Sequence, residues 1–89
     1  MTQGEFIVQN RLGLHARAAA RLVQVASAFP CDIQISRQGQ SANAKSVMGV
    51  LLLCGSCGTS LTITASGERE SEAVRALGQL IDDKFGEQE

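Results

Sequence analysis

The stretch "DIQISRQGQSAN", Asp32–Asn43, decides the architecture. Its first five residues alternate apolar and polar, the period of a strand with one buried face. "RQGQ" (Arg37–Gln40) then supplies a glycine turn, and Ser41–Asn43 returns antiparallel as a short strand. A hairpin of this kind seeds an antiparallel sheet, and a sheet with one polar face needs cover on the other face only.

Outward from the hairpin the same two periods recur. Upstream, "EFIVQ" (Glu5–Gln9) reads as a strand with Phe6 and Val8 on one face. From Ala16, the residues Ala19, Leu22, Val23, Ala26 and Phe29 form a helical stripe, and Pro30 ends it. Downstream, "SVMGVLLL" (Ser46–Leu53) reads as a short helix with Ser46 as its N-cap. "CGSCGTS" is a glycine-punctuated loop, and "SLTITA" (Ser60–Ala65) is the clearest strand. After Gly67, the stripe Ala73, Val74, Leu77, Leu80, Ile81 and Phe85 makes the longest helix. The order strand, helix, strand, strand, helix, strand, helix predicts an α+β fold with the helices together on one face of a four-stranded sheet. Strand order does not follow from periodicity.

The chain has 89 residues, which suits one domain, 1–89, with one core. A net charge of -1, with neither Trp nor Tyr, argues against nucleic acid as a partner. The longest apolar run, "VLLL" at Val50–Leu53, is far too short for a membrane span. No secretion signal opens the chain, and an odd number of cysteines, Cys31, Cys54 and Cys57, fits a reducing cytoplasm. Cys54 and Cys57 form a C-x-x-C, which elsewhere marks a redox pair or half a zinc site. Only Cys31 and His15 remain as further Cys or His ligands, and the pair ends a short helix instead of beginning one after a strand. Structural or incidental cysteines, with no metal and no cofactor, are therefore expected.

His15, the single histidine, stands in "NRLGLHARAAARLV" (Asn10–Val23), after Gly13 and at the start of a helix. A histidine there serves equally as a surface or capping residue. Three features favour chemistry: the glycine before it, the helix start, and Arg17 two positions on. The first turn of a helix offers unpaired N–H groups and partial positive charge, a ready anion site. Arg17 adds a guanidinium suited to phosphate oxygens. An imidazole, with an ordinary pKa near 6.5, offers a nucleophilic nitrogen at pH 7. The arrangement suits a phosphoryl group carried on His15 and cradled by the backbone N–H groups of Ala16 and Arg17.

"LGLHARAAARLV" (Leu12–Val23) together with "AKSVMGVLLL" (Ala44–Leu53) resembles the histidine-containing phosphocarrier family, HPr, of the bacterial phosphoenolpyruvate-dependent phosphotransferase system. The resemblance implies an open-faced β-sandwich with strand order 1-4-2-3 and three helices on one face. It implies that His15 takes a phosphoryl group on Nδ1 from enzyme I and gives it to IIA domains, with Arg17 assisting. A relative in a nitrogen-linked regulatory branch, NPr, would carry the same chemistry to other acceptors. Many members have proline where this chain has Ala18, which softens the helix start without removing a phosphate ligand. Ser46 resembles the serine that HPr kinase/phosphorylase modifies in many members, a role compatible with N-capping. The exposed apolar candidates for partner contact are Leu14, Val47, Met48 and Leu51, of which the last three match the family's docking patch. The resemblance also implies a cytoplasmic monomer.

Overall fold

A computed structural model describes residues 1–53 and 55–88. The hairpin is built as its sequence requires. Gln38 and Gly39 both take positive φ, 48° and 84°, the conformation of a tight two-residue turn whose twist matches its strands. The turn sets Arg37 opposite Gln40 and pairs β2 (Asp32–Arg37) with β3 (Gln40–Asn43). β4 (Ser60–Ser66) lies on the other side of β2, and β1 (Thr2–Ile7) lies beyond β4. All pairings are antiparallel, and the order is β1-β4-β2-β3. This is the order implied by the family resemblance.

Three helices cover one face of the sheet: α1 (Ala16–Ser27), α2 (Val47–Leu52) and α3 (Glu70–Asp82). Ile33 and Ile35 of β2 and Leu61, Ile63 and Ala65 of β4 point into the same core as Leu22, Val50, Leu77 and Ile81 of the helices. The intervening strand residues, such as Gln34 and Glu5, are exposed, which is the one-sided pattern read from the alternation. Ala18 and Ala19, both fully buried, let α1 lie close to its neighbours.

The largest departures from the sequence reading are at β1 and at the end of α3. β1 spans Thr2–Ile7 instead of Glu5–Gln9: pairing with β4 recruits Thr2–Gly4, including a glycine with little strand propensity of its own, and leaves Val8 and Gln9 beyond the strand. Phe85 lies outside α3. The helix stops at Asp82, and a single 3-10 turn, Lys84–Gly86, follows with Lys84 and Phe85 at positive φ. Phe85 is still fully buried, so the apolar spacing identified a core residue and misassigned its backbone.

Candidate functional site

The site is assembled from two ends of the chain. At the first, Gly13 takes φ +66°, and a Cβ there would run into the Gly55 carbonyl oxygen. The Leu14 N–H donates to that same oxygen at 2.8 Å, so the loop before α1 is pinned to the loop before β4. This bend turns the Leu14 side chain inward. Leu14 is only 6% exposed and packs in the core, which corrects its expected place among the exposed apolar residues. The exposed apolar residue of the loop is Leu12, at 65%.

His15 follows as the N-cap of α1, with extended backbone (φ -80°, ψ 179°). Its carbonyl accepts from the Ala19 N–H at 2.9 Å, and its Nδ1 accepts from the Arg17 N–H at 3.2 Å. Ser, Thr, Asp or Asn usually fills this position; here an imidazole nitrogen does so. The first turn of α1 contains no acidic residue, so its partial positive charge is not neutralised within the helix. Arg17 is exposed, and it lines with Leu12, His15, Arg21 and Glu87 a pocket of about 430 Å³.

The second end is the segment after α3. Phe85 anchors it in the core, and the Phe85 carbonyl accepts a hydrogen bond from Arg21 Nη1. With Gly86 also at positive φ, the chain swings back and sets Glu87 Oε2 against His15 Nε2. Glu87 Oε1 accepts from Asn10 Nδ2 at 2.9 Å, and Asn10 Nδ2 donates also to the Gly13 carbonyl at 2.8 Å. The Asn10 hydrogen bond, aided by His15 and Arg17 against partial desolvation, holds the Glu87 carboxyl below the usual carboxylate range. Neither Asn10 nor Glu87 has a role in the sequence reading. The one signal was Gly86, a turn residue directly after the last apolar position.

Ser46 lies apart from this pocket. It is the N-cap of α2, its Oγ accepting from the Gly49 N–H at 3.1 Å. Val47 and Met48, the latter 69% exposed, stand out from the first turn of α2. Leu51 is half-buried against the core, and Leu52 is exposed in its place. Cys31 is buried in the core. Cys57 is exposed, and Cys54, the other half of the C-x-x-C, lies outside the described residues. Among the described residues, no group of three His, Cys, Asp or Glu side chains could hold a metal ion. Nor is any described helix long and apolar enough to cross a membrane.

Comparison with known proteins matches residues 2–83 to the family model described as the PTS HPr component phosphorylation site. The chain is 47% identical over 87 residues to the phosphocarrier protein HPr of Xylella fastidiosa, covering 98% of each. It superposes on the crystal structure of HPr-C-His from Thermoanaerobacter tengcongensis with a TM-score of 0.96 and 42% identity, covering 100% of both chains. Bacillus subtilis Crh, described as a dimer with a swapped domain, is 39% identical with a TM-score of 0.76, over 94% of this chain and 97% of its own. A family model spanning most of the sequence and a relative this similar over nearly its full length agree with the histidine at the helix cap: the chain belongs to the HPr family of phosphocarrier proteins.

Proposed function

We propose that His15 accepts a phosphoryl group on Nδ1 from enzyme I and passes it to IIA domains, with the chain acting as one carrier unit. The observation that supports this best is the position of Nδ1 at the N-terminus of α1, where it takes the Arg17 N–H. On attack, the Nδ1 lone pair forms the N–P bond. The bond from phosphorus to the donor breaks, and its electron pair returns to the donor atom. The Arg17 N–H, released from Nδ1, and the neighbouring Ala16 N–H are then free to donate to phosphoryl oxygens. The Arg17 guanidinium adds charge-assisted hydrogen bonds from the same pocket. No water or metal is needed, since the group is moved and not hydrolysed.

Partner contact falls to Val47 and Met48 on α2, flanked by the half-buried Leu51 and the exposed Leu52, a small apolar patch suited to fast release. Ser46, at the cap of that helix, is read as the residue that HPr kinase/phosphorylase would modify. The carrier is read as a cytoplasmic monomer. Incubation with enzyme I and labelled phosphoenolpyruvate tests the central step. The expected product is a phosphoramidate, labile in acid and stable in base, and His15→Ala takes up no label. Acid-stable label, or acceptance by His15→Ala, would overturn the reading.

A further inference from the structure

The contact between Glu87 and His15 carries more than the fold requires. We infer that Glu87, held by Asn10, is a positioning residue for phosphoryl transfer: it takes the Nε2–H of His15, presents Nδ1 to phosphorus, and balances the charge the ring gains. This rests on His15 as the phosphoryl acceptor and adds a residue from the far end of the chain to that chemistry.

The hydrogen-bond roles are set from both sides of the ring. Nδ1 accepts from a backbone N–H, so in the neutral ring the proton resides on Nε2. Nε2 is then a donor, and an ionised carboxylate, which only accepts, is its complement. The carboxylate is itself oriented. Asn10 is fully buried, and its amide donates to Glu87 Oε1 and to the Gly13 carbonyl. Reversing that amide would set Oδ1 against two oxygens that cannot donate. The orientation is kept although Asn10 Oδ1 itself is buried without a partner among the described residues. A buried polar atom left unpaired is unfavourable, so the Asn10 side chain serves its donor contacts at the expense of its acceptor. The backbone reaches the site through Lys84 and Phe85, both at positive φ without being glycine, with the Phe85 carbonyl fastened to Arg21.

In the transfer step, Nδ1 gives its lone pair to phosphorus while Nε2 keeps its proton, so the phosphorylated ring carries positive charge. Glu87 faces that charge and needs no movement to meet it. When the group leaves for an acceptor, the N–P electron pair returns to Nδ1 and the starting hydrogen bonds are restored. Arg17 and Arg21 of α1 line the same pocket, so Glu87 is the counter-charge among cations.

The test compares wild type, Glu87→Ala and Glu87→Gln, with two readouts. In ¹⁵N-labelled protein the His15 Nε2–H proton should be visible and slow to exchange with water in wild type. It should be retained in Glu87→Gln, which still offers an oxygen, and lost in Glu87→Ala. Phosphoryl acceptance from enzyme I should fall about tenfold in Glu87→Ala, the loss expected for a hydrogen bond to a charged group, with Glu87→Gln between. An Nε2–H signal that persists in Glu87→Ala would overturn the inference. So would transfer by Glu87→Ala at or above the wild-type rate, since the carboxylate would then only cover or repel. Acceptance by His15→Ala would overturn the carrier reading instead, while leaving the Nε2–H result intact.

Discussion

At the residue scale, the two nitrogens of His15 face different environments, a helix N-terminus on one side and a carboxylate on the other. Arg17 occupies the helix side and has no packing duty, being exposed. Arg17→Ala should therefore slow acceptance from enzyme I by about ten- to a hundredfold, from the 1.5–3 kcal/mol of a charged hydrogen bond. Its thermal midpoint should match wild type. Rapid-quench transfer assays beside calorimetry check both halves, and equal transfer rates would remove Arg17 from the mechanism. His15 and Arg17 were legible because they share one helical turn, and a helix start advertises itself in sequence. Glu87 was not, because 72 positions separate it from His15 and only folding brings them together. Leu14 misled for another reason. An apolar residue in a loop reads as exposed, and only the left-handed bend at Gly13 aims it into the core.

At the element scale, α2 is six residues long, too short to persist without tertiary packing and a cap. Ser46→Ala removes that cap and should cost about 1 kcal/mol in a denaturant titration. Ser46→Asp keeps an accepting oxygen and adds an anion where the helix dipole favours one, so it should be about 0.3–1 kcal/mol more stable than wild type. The same charge, beside Val47 and Met48, should slow acceptance from enzyme I, and less so at high salt. Unchanged transfer kinetics in Ser46→Asp would leave Ser46 a cap alone. The helices and strands were legible because their periods are clean, and the alternation in β2 and β4 showed which sheet face is covered. The end of α3 was hidden by its own stripe. Phe85 continues the spacing from Ile81, and spacing cannot register that the backbone has left the helix.

At the scale of the whole molecule, the first strand and the last helix are tied by charge as well as by packing. Glu70 at the start of α3 meets the Met1 amino group at 2.7 Å, the Thr2 hydroxyl at 2.7 Å and the Gly67 N–H at 3.1 Å. The Met1 amino group foremost, then Thr2 and Gly67, lowers its carboxyl from 4.5 to about 2. The folded value lies below the unfolded one, so this contribution is complete above 4.5 and disappears as pH falls from there towards 2. Glu87 is lowered too and acts in the same direction. The thermal midpoint should fall with pH through that window, and Glu70→Gln should flatten the fall; a parallel decline in the variant would exclude Glu70 as its source. None of these ties was legible, because β1 and α3 lie at opposite ends of the sequence and periodicity is blind to strand order. That order bears on how the protein is born. β1 is an edge strand whose partner, β4, is Ser60–Ser66. At the ordinary 5–20 residues per second of synthesis, β1 waits about 3–12 s for that partner to be made. A nascent chain halted before Ser60 on the ribosome would leave β1 unpaired, its amide groups open to chaperones, to proteases or to the same strand of another nascent chain.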